Sequence, residues 1–242
     1  MSLFNLVLLV VAVVSGATAS VVGFGIGSLL TPLLAARLGT GIAVAAVTVP
    51  HALATAVRCW RLRASIDRSV LVRFGLVSAA GGLLGALLYT RLGATTLTRI
   101  LGGLLLLTAT AQLSGWSRRW HPRGAVVTLL GAGSGFFGGI AGNQGGLRAA
   151  ALTAFALTPA AFVATATATG LLVDLARAPV YLWRSGPELL ALWRPIAVAS
   201  VGVLAGTILG ERILFGLSPS RFGQVVGGAI GLLGVWLLIG TL

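Results

Sequence analysis

The chain has no lysine, and among its 242 residues there are four acidic side chains, two histidines, one cysteine and one methionine. A single cysteine, Cys59, excludes an intrachain disulfide and any cysteine-rich metal site. Four carboxylates and two histidines supply no metal cluster and no cofactor-binding set. No GxSxG-type nucleophile motif appears either, so the composition points away from an enzyme. Charge is scarce as well, at 9% of residues, against about 25% in soluble domains. Residues 1–36 and 149–173 carry no ionisable side chain, and 222–242 carry only the C-terminal carboxylate.

What is present is apolar surface: 57% hydrophobic residues and a mean hydropathy of +1.03. Uncharged runs of about 18 residues or more are candidate transmembrane helices. The expected fold class is therefore an all-α polytopic membrane protein, with the lipid bilayer as its surroundings. All 17 basic residues are arginine, giving a net charge of +13; a GC-rich coding sequence accounts for the choice of arginine. They are scattered between apolar runs as topology signals and form no stripe, which excludes nucleic acid as a partner. SGATAS (Ser15–Ser20) faintly resembles a signal-peptide cleavage site. No basic residue precedes the apolar run, and hydrophobicity continues past it, so the segment reads as part of the first helix.

Breaking the chain at its arginine-containing loops gives apolar elements near 3–36, 42–60, 70–90, 97–115, 124–157, 160–183, 189–210 and 222–241. Six have ordinary span lengths. The first and fifth are too long for one crossing of a core about 30 Å thick, and each carries a glycine-rich interruption. In the first it is VGFGIGS (Val22–Ser28), followed by Thr31-Pro32; in the fifth it is GGIAGNQGGLRAAAL (Gly138–Leu152).

Other landmarks recur. Gly16 and Gly23 are spaced as are Gly131 and Gly138; VRCWR (Val57–Arg61) matches VYLWR (Val180–Arg184); GGLLGALLYTR (Gly81–Arg91) matches GVLAGTILGER (Gly202–Arg212). The chain thus reads as two homologous four-element halves, 1–115 and 124–242, joined by a loop at 116–123. If each long element folds back as a helical hairpin, there are up to ten membrane segments and the halves are inverted. If each crosses once, there are eight and the halves are parallel. Arginines cluster at 58–73 and 118–123, which places both loops in the cytoplasm.

A broken helix is tolerated in hydrocarbon only where it is buried in protein or lines a cavity, and it exposes N–H groups that attract anions. At the first break Gly23, Gly25 and Gly27 let a ligand approach the backbone, with Ser28 and Thr31 adding hydroxyls. At the second, Gly142, Gly145 and Gly146 accompany the donors of Asn143 and Gln144, with Arg148 close behind. GFGIG lacks the strand, third glycine and acidic partner of a dinucleotide fingerprint. Gly81/Gly85 and Gly202/Gly206 are read as sites of close helix packing.

Ionisable groups in spans cost about 2.5–3.5 kcal/mol at the helix centre even on the mild insertion scale. His51 and Asp174 are such groups, and aligning Trp60-Arg61 with Trp183-Arg184 sets them opposite each other. They read either as proton carriers or as a structural histidine and an Asp174–Arg177 pair near the interface. Arg148 reads either as a substrate ligand or as a side chain snorkelling to the surface. Arg58, Arg61, Arg184, Trp60, Trp183 and Trp193 read as interfacial anchors.

The glycine-broken openings GFGIGSLLTPLL (Gly23–Leu34) and GGIAGNQGGLRAAAL, with TPAAFVATATATGLLVDLARAPVYL (Thr158–Leu182), resemble the sulfite exporter TauE/SafE family of bacterial permeases along essentially the whole chain. The resemblance implies a multi-pass protein of the bacterial cytoplasmic membrane that moves sulfur-containing or other organic anions. The family's two motifs fall on Gly23, Gly25, Gly27, Thr31 and Pro32, and on Gly142, Asn143, Gln144, Gly145 and Gly146. The Asn-Gln-Gly-Gly run departs from the family's glycine- and proline-rich form.

The leading expectation is alternating-access transport of a small anion, with a proton as coupling ion and no cofactor or metal. A homodimer is an open arrangement. A membrane scaffold or assembly subunit and a passive anion channel stand as alternatives.

Overall fold

In hydrocarbon the backbone has no partner but itself, so the uncharged runs fold as helices. The computed structural model describes residues 2–115, 122–213 and 219–240, which hold only helices and their connecting turns. Ten helices of eight residues or more occur among them. They are α1 (Leu3–Val22), α2 (Ile26–Leu38), α3 (Thr40–Leu62), α4 (Leu76–Leu88), α5 (Ala94–Ser114), α6 (Ala125–Ala141), α7 (Gly145–Leu152), α8 (Pro159–Ala191), α9 (Trp193–Ile213) and α10 (Pro219–Ile239). A short turn at Arg68–Val70 and a π-helical turn at Leu71–Gly75 lead into α4. Among the described residues six candidate spans are long and apolar enough to cross a membrane: Leu3–Val21, Thr40–Ser65, Arg68–Arg91, Ala94–Ser114, Pro159–Ala191 and Trp193–Gly210.

Both over-long elements break at their glycines, the first into α1 and α2 and the second into α6 and α7, with a non-helical exit after α7. One expected boundary moves. The sequence separates 160–183 from 189–210, but α8 runs on to Ala191 and only kinks at Ser185 (φ −129°, ψ 20°), two residues before Pro187. The Ser185 hydroxyl shares a 2.9 Å hydrogen bond with Tyr89 there. Arg118 and Arg119 of the connecting loop lie outside the described residues, as do the side chains of Arg212 and Arg221.

Lipid tails give helices no hydrophobic reason to associate, so close packing of small residues does it. A Cβ built on Gly206 would lie 2.0 Å from the Val13 carbonyl oxygen, and one on Gly210 2.7 Å from Ala17 Cα, which seats α9 on α1 running the same way. A Cβ on Gly81 would lie 2.2 Å from the Ala132 oxygen and one on Gly85 2.2 Å from the Phe136 oxygen, which seats α4 on α6, again in the same direction. The packing reading of these glycine pairs holds.

α5 and α10 meet through Gly102 beside Gly234 and Leu238, and through Gly227 beside Gln112, so they run in opposite directions. α3 and α8 are opposed as well. Thr55 meets Asp174, while Asp67, just past α3, donates its N–H to Thr165 Oγ1 at 3.0 Å. Trp60, Trp183 and Trp193 are 60–74% exposed, and the guanidinium of Arg63, Arg184 or Arg194 lies over each ring in turn. Arg58 differs from the anchor reading: it faces inward and is buried, on the same stripe of α3 as His51 and Thr55.

Gly135 tests the packing. Its Cβ would lie 1.8 Å from the Ser78 carbonyl oxygen, whereas a Cβ on Gly133 meets nothing within 4 Å. Gly135→Val should lower the melting temperature in detergent markedly, since overpacking costs about 1–3 kcal/mol or more. Gly133→Ala should leave it unchanged or raise it slightly, because alanine is the better helix former. Differential scanning fluorimetry reads both.

Candidate functional site

The two helix breaks are built alike and touch. Gly23 (φ +89°) ends α1 with its N–H donating to the Ala19 carbonyl at 3.1 Å; Gly142 (φ +70°) ends α6 with its N–H donating to the Gly138 carbonyl at 3.0 Å. Only glycine adopts this left-handed geometry cheaply. The residue that does for α6 what Gly23 does for α1 is therefore Gly142, not Gly138, which is still helical. Equal glycine spacing in the sequence had paired the wrong one.

Across the gap, a Cβ on Gly27 would lie 2.2 Å from the Gly142 carbonyl oxygen, and one on Gly145 2.4 Å from Phe24 Cβ. The Ser28 hydroxyl donates to Asn143 Oδ1 at 3.1 Å. Behind the contact, Thr31 packs beneath Gly142, Gly146 sits on Thr108 of α5, and the Arg148 guanidinium lies against Gly170 of α8.

Gly25, Gly27, Ser28, Gly142, Asn143, Gln144, Gly145, Arg148 and His51 line one small cavity together with Phe24. Its volume of about 10 Å3 is about that of one water, too small for an oxyanion. Asn143, Gln144 and Arg148 are each 3% exposed. Asn143 Nδ2, Gln144 Nε2 and Oε1 and Arg148 Nη1 have no hydrogen-bond partner among the described residues. Because Ser28 occupies the Asn143 carbonyl, that side chain is left with its donors. Buried polar atoms of this kind are rare and call for a ligand or water; a set dominated by N–H and carrying one full positive charge suits an anion.

Arg148 does not snorkel: it is buried inside the protein at the cavity wall. Thr31 and Gly146 support the lining without belonging to it. A larger cavity of about 320 Å3, between Arg73, Phe74, Arg123 and Phe155, shares no lining residue with this one.

Asp174 stands behind His51 at the centre of a second cluster. Its Oδ2 is 2.5 Å from His51 Nδ1 and accepts from Thr55 Oγ1 at 3.2 Å; its Oδ1 accepts from Arg177 Nε at 3.1 Å and Nη2 at 2.8 Å. Arg177 also donates through Nη1 to the Gly138 carbonyl, and the Tyr181 hydroxyl donates to the Gly139 carbonyl. The last turn of α6, just before its break, is thereby tied to α8. Asp174 and Arg177 do form the pair that the i, i+3 spacing predicts, and at 0% and 1% exposure both are buried inside the protein.

Thr55 and Tyr181 were missed as members of this cluster. The signal was present, since each follows a named residue, His51 or Arg177, by four positions and so shares its helix face. Phe24 carries no comparable signal.

The cluster's stability rests on Asp174. Asp174→Ala leaves Arg177 buried without its carboxylate, which costs about 3–5 kcal/mol. The expected outcome is a large loss of melting temperature and of monodisperse protein in detergent, with Asp174→Asn milder because the amide oxygen still accepts. Wild-type melting of the alanine variant would show that the ion pair carries no structural load.

Comparison with known proteins bears on the whole chain. No curated protein matches it. No solved structure matches it either. The family model described as Sulfite exporter TauE/SafE matches residues 8–237. With that match across nearly its full length, the chain belongs to the sulfite exporter TauE/SafE family and is a multi-pass transport protein of the bacterial cytoplasmic membrane, not an enzyme.

Proposed function

We propose that the chain moves a small anion, a sulfur-containing oxyanion or organosulfonate, across the membrane by alternating access. The observation that carries this reading is the cluster of unpartnered donors from Asn143, Gln144 and Arg148 where the two breaks cross. A buried guanidinium with a bare Nη1 is costly in a membrane protein, and an anion held by it and the two amides would offset that cost. The family description adds the expectation of sulfur chemistry. A proton coupled through His51 and Asp174 completes the proposed cycle.

Alternating access needs two units that rock about the site, and the helix pairings support an inverted repeat. Elements 1–115 and 124–242 exchange partners reciprocally: α1 packs on α9 as α6 packs on α4, each pair running the same way. The counterparts α5 and α10 run in opposite directions, as do α3 and α8. A two-fold operation that relates antiparallel counterparts has its axis across the helices, in the membrane plane, which is the inverted arrangement. His51 and Asp174, opposite each other in the Trp-Arg alignment, touch at 2.5 Å, as equivalent positions beside such an axis do. On this reading α1–α2 and α6–α7 are helical hairpins whose tips meet at the site.

The test is uptake of radiolabelled sulfite, thiosulfate and a small organosulfonate into proteoliposomes. Saturable, concentrative flux is expected for at least one of them. Asn143→Ala and Arg148→Gln should each cut it about tenfold or more, the loss of a hydrogen bond to a charged group, while the protein stays monodisperse. Wild-type flux in both variants removes the site assignment. Flux that neither saturates nor concentrates favours a channel, and no flux with a stable protein partner favours a scaffold.

A further inference from the structure

The surroundings of His51 decide which of its two nitrogens carries the hydrogen. Among the described residues, every other group on the Asp174 carboxylate is a donor: Thr55 Oγ1 on Oδ2, and Arg177 Nε and Nη2 on Oδ1. A carboxylate ringed by donors holds the imidazole with its N–H on Nδ1. Nε2 then carries the lone pair of the neutral ring. His51 also lines the cavity beside Arg148, Asn143 and Gln144, so a positive charge on its ring would lie next to an anion held there.

The charges facing His51 are few. From α8 come Asp174 and Arg177, which neutralise each other through two hydrogen bonds. From α7 comes Arg148. Arg58 lies two turns along α3 on the same face, buried and outside the cavity lining. The Tyr181 hydroxyl is turned to the Gly139 carbonyl. With His51 neutral, Arg148 alone charges the lining; with His51 protonated, the lining carries two positive charges.

We infer that the site takes a divalent oxyanion together with one proton, the proton sitting on His51 Nε2 and the anion between His51, Arg148 and the two amides. This rests on the anion-transport reading above and adds the valence of the substrate and the proton's address. The proton comes from the aqueous phase to which the cavity opens. One N–H bond forms at Nε2, no bond of the anion breaks, and the two ligands leave together when the opposite face opens. Binding is reciprocal: the proton tightens the anion and the anion holds the proton. A monovalent anion, matched by Arg148 alone, has no need of it.

The experiment is titration calorimetry of the full chain in detergent with thiosulfate, divalent throughout, and methanesulfonate, monovalent throughout, from about pH 6 to about pH 8.5. Two amine buffers that differ in protonation enthalpy report protons taken up per anion, without adding a competing sulfonate. Thiosulfate should take up close to one proton at the alkaline end and bind up to about tenfold more weakly per pH unit there. Methanesulfonate should take up far less. His51→Gln should abolish the proton uptake and flatten the pH dependence; were that variant to misfold, the wild-type titrations decide alone. Thiosulfate binding without proton uptake, equal uptake for both anions, or wild-type uptake in His51→Gln overturns the inference and leaves the transport reading standing. Failure of every anion to bind overturns both.

Discussion

The backbone of Gly27 lies against the carbonyl of Gly142, and much of the molecule is arranged so that it can. Hydrocarbon does not tolerate an interrupted helix, because the freed N–H and C=O groups find no water. Two interruptions pressed together inside a bundle shield each other. That approach demands glycine on both sides, and it demands that α1 and α6 be held in place by partners without bulky side chains. The glycine contacts of α9 on α1 and of α4 on α6 meet that demand. The high glycine content, 35 residues in all, is in good part the consequence of one geometric requirement.

The charged cluster is the second half of the same device. Arg177 reaches from α8 to the Gly138 carbonyl and Tyr181 to that of Gly139, so the turn before the second break is anchored to the helix that carries Asp174. Asp174 in turn holds His51 at the cavity wall. A short chain of hydrogen bonds thus links His51 through Asp174 and Arg177 to the backbone just before the second break. A cavity the size of one water, bounded by groups of this kind, suits a closed state that opens when one of its walls moves.

Much of this was legible in the residues. The membrane class followed from long uncharged runs, and both breaks followed from elements too long for one crossing. The Trp-Arg landmarks set His51 and Asp174 opposite each other, and the two side chains are in contact. What was not legible had physical causes. Glycine spacing cannot tell a packing glycine from a capping one, which is why Gly138 stood in for Gly142. An arginine a few residues past a break can snorkel or turn inward, and nothing in the local sequence reveals that Arg148 packs inward against Gly170. At the Ser185 kink of α8 the hydroxyl is met by Tyr89, a partner from a distant element that local sequence does not reveal. Phe24 lines the cavity because of where the chain turns, not because of any pattern around it.

The most direct measurement is a crystal of the protein soaked in selenate, a divalent tetrahedral anion whose selenium scatters anomalously. A selenium peak between the Phe24–Ser28 and Gly142–Arg148 segments, within hydrogen-bond reach of Asn143, Gln144 or Arg148, is the predicted result. A peak confined to the wider cavity between Arg73 and Arg123, with none between the breaks, would contradict the claim that the crossed helix breaks form the anion site.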